Sequence, residues 1–193
     1  MHYQIYSLDA LPAADAADAA LLDTVEKEAY ARRGACYLAE RMLLRRELSR
    51  LSGVPVQDVH FTYNANGKPE FAPQPFSLTH SGNCLCLAFH HHAVGVDVER
   101  VRPRNFARLA PHFMAGQQAL AFVERGCPMD EFYACWCAAE ALVKCAGGSI
   151  WQARKSYPFR YENASIAPQF TPAPTVELFS PAPGYAGAVA FLP

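Results

Sequence analysis

Between Val94 and Val101 the chain alternates, with Val94, Val96, Val98 and Val101 apolar and Asp97 and Glu99 together on the opposite face. A strand has a period of two, so this stretch is read as a strand with one apolar side and two carboxylates projecting the same way. Like charges this close repel unless a cation lies between them. A hard divalent ion fits carboxylate oxygens. The other reading is a solvated strand face with Arg100 or Arg102 as counter-charge.

The rest of the chain reads as mixed α and β. His2 to Leu8 is an opening strand, and Pro12 to Ala20, rich in Ala and Asp, is loop or frayed helix. Thr24 is placed as an N-cap, and Tyr30 to Leu51 as one long amphipathic helix stopped by Gly53 and Pro55. Arg41, Arg45, Arg46 and Arg50 are assigned to its basic outer side. Short strands are predicted at Val59–Tyr63 and Phe76–Thr79, and a buried one at Cys84–Phe89, with a turn at Asn64–Pro69. Helices follow at about Phe106–Pro111 and Gly116–Gly126, then a stronger one from Met129 to Ala146 ended by Gly147 and Gly148. The Pro-rich last third carries strands at Tyr157–Tyr161, Thr175–Phe179 and Tyr185–Leu192. The stretches Ser81–Phe89 and Pro183–Phe191 share a turn-plus-apolar-strand form, a hint of two similar lobes. The boundary is placed at Arg102-Pro103-Arg104, giving lobes 1–102 and 103–193.

Composition narrows the function. The chain has 193 residues, 51% hydrophobic and 18% charged, so it is a folded rather than disordered sequence. Seventeen basic and 18 acidic residues leave a net charge of −1, without the basic field of a general nucleic-acid binder. No apolar run reaches the roughly 18–20 residues of a membrane span. Met1-His2-Tyr3-Gln4 does not open a signal peptide, and a cytoplasmic protein is expected. The seven cysteines form no CxxC pair, so they are read as reduced core thiols rather than a disulfide framework or zinc site.

Other candidates for chemistry lie on the late helix. Trp136, Ala139 and Val143 form a stripe assigned to the core. Glu140 and Lys144, at i and i+4, are the sole charged residues between Glu131 and Arg154. They are either a surface pair or two charges facing a ligand cleft. Lys68 sits in the turn Asn66-Gly67-Lys68-Pro69, and Thr79 and His80 lie in Phe76-Ser77-Leu78-Thr79-His80-Ser81-Gly82. His90-His91-His92 cannot all face one ion from consecutive strand positions. Gly-x-Ser-x-Gly, HExxH and P-loop motifs are absent from the sequence. Arg100, Arg102, Arg104 and Arg108 form a basic stretch that is either solvated or a dock for an acidic partner.

In order, GKP, F-x-L-x-H-S-G, G-V-D-V-E and W-x-x-x-E-A-x-x-K-x-x-G-G run from Gly67 to Gly148. This series resembles the 4′-phosphopantetheinyl transferases, specifically the two-lobed Sfp-type group. Glu140-Ala141, Lys144 and Gly147-Gly148-Ser149-Ile150-Trp151-Gln152 are most similar to the short bacterial holo-acyl-carrier-protein synthases. The resemblance covers about Tyr30 to Gln152. It implies an α+β fold of two pseudo-symmetric lobes, each a small antiparallel sheet packed with a long helix, with the active site in the cleft between them. It implies a monomer that transfers 4′-phosphopantetheine from coenzyme A to a serine of an apo acyl or peptidyl carrier protein, releasing adenosine 3′,5′-bisphosphate. By the same resemblance Asp97, Glu99 and Glu140 hold Mg²⁺, and Lys144 lies by the phosphates. Lys68 and Arg45 contact the 3′-phosphate end of coenzyme A, and Thr79 and His80 match a Ser-His pair near the nucleotide. Glu140 or a water on the metal serves as general base.

One departure stands out. The family commonly has Lys-Glu-Ala where this chain has Ala139-Glu140-Ala141. It motivates an alternative, a catalytically impaired relative that binds carrier protein or coenzyme A without turnover. The carrier, whether of fatty acid, polyketide or peptide synthesis, is left open.

Overall fold

Gly34 decides the first helical region. In the computed structural model, which describes residues 1–149 and 153–193, this residue takes φ 72° and ψ −161°. A helix cannot pass through that conformation, so the single predicted helix is two. After β1 (His2–Ser7) and α1 (Ala16–Ala20) come α2 (Thr24–Arg33) and α3 (Ala35–Ser52). Asp15 and Asp18 form a capping box at α1, so residues 16–20 of this stretch are a capped helix and residues 12–15 are loop. The cap of α2 is Asp23, one residue earlier than predicted. Asp23 Oδ1 accepts from Glu26 N at 2.8 Å, and Glu26 Oε2 accepts from Asp23 N at 3.1 Å. Gly53 ends α3 in the left-handed region, as expected.

Two compact units divide the chain. One is residues 6–74, with a core on α3: Leu38 and Met42 pack with Leu22, while Leu44 and Leu48 are fully enclosed. A two-stranded hairpin, β2 (Thr62–Tyr63) and β3 (Pro69–Glu70), completes it. Its turn is held by Asn64 Oδ1, which accepts from Asn66 N at 2.9 Å and Lys68 N at 3.1 Å.

The other unit is residues 1–5 with 75–193. It contains β4 (Phe76–Ser81), β5 (Cys84–Phe89), β6 (Val94–Arg100), α4 (Phe106–Leu109), α5 (Gly116–Glu124) and α6 (Met129–Ala146). Then come α7 (Ala153–Ser156), β7 (Phe159–Glu162), β8 (Ser165–Pro168), β9 (Thr175–Phe179) and β10 (Tyr185–Phe191). The chain is thus α+β, with small antiparallel sheets and helices. One three-stranded sheet has the order β1-β5-β4 and the other β6-β10-β9. The two stretches that looked alike in sequence, at β5 and β10, are the central strands of these sheets. The boundary placed at residues 102/103 falls inside this unit, because β6 pairs along its whole length with β10.

The helix α6 fixes the architecture of the site. A Cβ on Gly95 would lie 2.0 Å from the Ala141 carbonyl oxygen and 2.4 Å from Cys145 N, so the backbone of α6 rests directly on β6. Across the sheet Ala188 and Ala186 stand opposite Asp97 and Glu99, keeping the same face low. The face carrying the carboxylates is therefore covered by a helix, and Asp97 is only 4% exposed. The solvated reading of that face does not hold. The other face of α6 enters an aromatic core in which Phe132 meets Phe106, Phe113 and Phe122. No helix among the described residues is long and apolar enough to cross a membrane.

Candidate active site

Strand period puts Gly95, Asp97 and Glu99 in a row under α6, and helix period puts Trp136, Glu140 and Lys144 in a row on that helix. Lys144 Nζ donates to Asp97 Oδ1 at 2.7 Å and to the Val96 carbonyl at 3.2 Å. Burial alone would lower the Lys144 pKa, but Asp97 and Glu140 outweigh it and hold it above the ordinary value. Burial raises the Glu140 carboxyl; Lys144 opposes this, and the charges of Asp97 and Glu99 add to it. The structure thus joins Lys144 directly to Asp97, and Glu140 lies within the field of Lys144, Asp97 and Glu99. The thiol of Cys137 lies beneath them, pushed well up by burial and then by Asp97 and Glu99.

The β4 hydroxyls meet these carboxylates. Thr79 Oγ1 donates to Asp97 Oδ1 at 3.0 Å, and Ser81 Oγ donates to Glu99 Oε2 at 2.9 Å. Thr79, expected at a nucleotide, is 6% exposed with its hydroxyl turned to Asp97. His80, its neighbour on the strand, is exposed. Ser81 was not singled out from the sequence. The signal available was the two-residue spacing of Ser77, Thr79 and Ser81.

Trp136 also departs from expectation. Ala139 and Val143 are buried, but Trp136 is half-buried and lines a hollow with Glu99, Arg104, Leu109, Phe132 and Tyr133. Trp136 still packs on the core through Phe113 and Phe132, at the edge of the stripe where it also follows Glu140 and Lys144 at steps of four.

Arg45 and Lys68 lie in the unit of residues 6–74. Arg45 does not belong to a solvated face. It is 1% exposed, both its terminal nitrogens donate to Glu26, and it stacks on Phe61 at 4.8 Å. Arg41 also approaches Glu26, at 3.8 Å. The expected contact of Arg45 with a phosphate is replaced here by an internal ion pair, since a buried carboxylate requires a partner. Lys68 is half-buried in the β2–β3 turn. All seven cysteines are free, five of them buried, but Cys36 is exposed and Cys127 partly so. Ile150, Trp151 and Gln152 of the last motif lie outside the described residues.

Among the described residues no group of three or more His, Cys, Asp or Glu side chains is gathered closely enough to hold a metal ion. The donor chemistry nevertheless fits a hard cation. Asp97 Oδ2 is buried and has no hydrogen-bond partner, and such an oxygen is costly to enclose unless a cation or donor meets it.

The span 93–189 matches the family model ACPS, the 4′-phosphopantetheinyl transferase superfamily. It contains β6 and α6, and with them Asp97, Glu99, Glu140 and Lys144. The chain belongs to this superfamily. Over 129 residues it is 40% identical to the 4′-phosphopantetheinyl transferase AcpT of Salmonella typhimurium, covering 62% of this chain and 62% of that protein. It is 27% identical over 161 residues to the 4′-phosphopantetheinyl transferase psf-1 of Bacillus pumilus, covering 79% and 69%. With the 4′-phosphopantetheinyl transferase Sfp of Bacillus subtilis it shares 26% over 114 residues, 56% and 50% of the two chains. The chain thus spans less than two thirds of the length of AcpT.

Proposed function

We propose that this protein transfers 4′-phosphopantetheine from coenzyme A to a serine hydroxyl of an apo acyl or peptidyl carrier protein, acting in the cytoplasm as a monomer. The observation that carries the reading is the Lys144–Asp97 ion pair joining α6 to β6, inside the span that matches the family, with Glu140 on the same helix stripe and Glu99 on the same strand face. In the reaction the serine oxygen forms a bond to the phosphorus nearer the pantetheine. The bond from that phosphorus to the bridging oxygen breaks, and adenosine 3′,5′-bisphosphate leaves. The task is positioning and charge stabilisation more than covalent chemistry.

Asp97, Glu99 and Glu140 would hold Mg²⁺, Asp97 through the buried Oδ2 that Lys144 and Thr79 leave open. When bound, the ion supplies positive charge against the pyrophosphate. Lys144 adds a fixed cation beside it. Glu140, or a water that the ion would hold, would accept the proton of the serine. His80 is proposed as a contact to the nucleotide end of coenzyme A; Arg45 is not. The binding-module reading gains nothing from Ala139. That position is fully enclosed, so the lysine common in the family is missing from an interior position and not from the Glu140–Lys144 stripe.

The test is to incubate the protein with apo carrier, coenzyme A and Mg²⁺ and weigh the carrier by mass spectrometry. A gain of one phosphopantetheine, lost in Asp97→Ala and Glu140→Ala, is expected. No gain on acyl or peptidyl carriers would overturn the reading.

A further inference from the structure

The two three-stranded sheets meet at β4 and β6, each the edge of its own sheet and neither backbone-paired to the other. Edge strands carry unpaired N–H and C=O groups that must find partners elsewhere. Here side chains supply them. Val96 N donates to Ser77 Oγ at 3.0 Å, and Arg100 N donates to Ser81 Oγ at 3.1 Å. The Val96 carbonyl accepts from Lys144. Between these anchors, Thr79 and Ser81 each donate to one carboxylate oxygen, of Asp97 and of Glu99. The three hydroxyls occupy every second position of β4 and rise in step with β6.

We propose that Ser81 and Thr79 are positioning residues of the cation site, a statement that rests on the function proposed above. Each hydroxyl engages one oxygen of its carboxylate, Asp97 Oδ1 and Glu99 Oε2, and so presents the other, Asp97 Oδ2 and Glu99 Oε1, to the ion. Ser81 is tied at the same time to the backbone of Arg100, so the Glu99 rotamer is set by the main chain of β6. A hydroxyl in this place acts through the ligand and touches no substrate. Ser77 bonds only backbone and serves the seam alone.

The experiment titrates Mn²⁺ into the full chain, reading free Mn²⁺ by electron paramagnetic resonance, with no carrier or turnover involved. Ser81→Ala and Thr79→Val should each weaken Mn²⁺ binding roughly tenfold, the usual size of an effect transmitted through a ligand's hydrogen bond. Ser81→Thr and Thr79→Ser should restore it. Ser77→Ala should lower Tm yet leave Mn²⁺ affinity within about twofold of wild type. Transfer assays with Ser81→Ala should show the loss recovered by raising Mg²⁺. Circular dichroism of each variant separates a lost ligand set from a lost fold. If folded Ser81→Ala and Thr79→Val bind Mn²⁺ as tightly as wild type, the positioning role is wrong while the transferase reading stands. If wild type binds Mn²⁺ and the variants weaken it, but no carrier is modified, the transferase reading fails and the positioning role stands. Wild-type protein that binds no Mn²⁺ overturns the positioning role.

Discussion

Lys144 Nζ and Asp97 Oδ1 are 2.7 Å apart, joining α6 to β6 across 47 residues of sequence. Asp97 is nearly enclosed, while the Lys144 side chain keeps 27% of its surface. Replacing the lysine leaves a buried carboxylate without its counter-charge. Lys144→Met should therefore lose roughly 2 kcal/mol in urea unfolding, below the loss for a fully buried pair. Mg²⁺ should recover part of that loss, because it supplies the missing charge. A variant as stable as wild type in metal-free buffer would show that the pair contributes nothing.

Gly95 sets how near α6 comes. A methyl there would sit 2.0 Å from the Ala141 carbonyl, against helix backbone that cannot rotate away. Gly95→Ala should cost about 3 kcal/mol or more and reduce transfer by displacing Glu140 and Lys144 from Asp97. Thermal unfolding measures the first effect and the mass-gain assay the second. Unchanged Tm would contradict the direct seating of the helix on the strand.

The pH dependence of stability tests Glu140. Burial, then Asp97 and Glu99, raise its carboxyl above the ordinary value despite the opposing pull of Lys144. The folded protein thus holds this proton more tightly than the unfolded chain does. The stability gained is fully present below the unfolded value and is lost as pH rises through the higher folded one. Without divalent ions, Glu140→Gln should raise Tm at neutral and mildly alkaline pH, and the difference should vanish below about pH 4. A difference that does not change with pH would reject the assignment.

In the unit of residues 6–74, Arg45 and Glu26 neutralise each other in the interior. Arg45→Met should cost about 3 kcal/mol because it leaves Glu26 only the longer contact with Arg41, and Glu26→Leu added to it should return only part of that loss, since Glu26 also accepts from Asp23 N at the start of α2. Denaturant titration of both variants checks this. Calorimetry with coenzyme A then separates the roles, since the refolded double variant should bind coenzyme A as wild type does. Loss of binding in a stable double variant would restore Arg45 as a phosphate contact.

Local pattern was enough for β6 and α6. Val94 to Arg100 alternates over its whole length, and the α6 bounds are those marked by Met129 and Gly147. The ordered motifs then led to Asp97, Glu99, Glu140 and Lys144. Gly34 does not read as a break in the sequence, because a glycine inside a helical pattern is often tolerated and only its backbone angles make it one. The burial of Arg45 was hidden for another reason: its partner Glu26 lies 19 residues upstream, at the start of a different helix. An arginine spaced along a helix reads as solvated when its partner is not local. The β4 hydroxyls were equally opaque, since their targets lie 18 and 19 residues away on a strand of another sheet.

A backbone ladder is indifferent to which side chains it carries, whereas the alignment of β4 with β6 is entrusted to Ser77, Thr79 and Ser81. Loss of Thr79 or Ser81 would let the carboxylate pair wander while both sheets persist, whereas loss of Ser77 would loosen the seam and leave the carboxylates held.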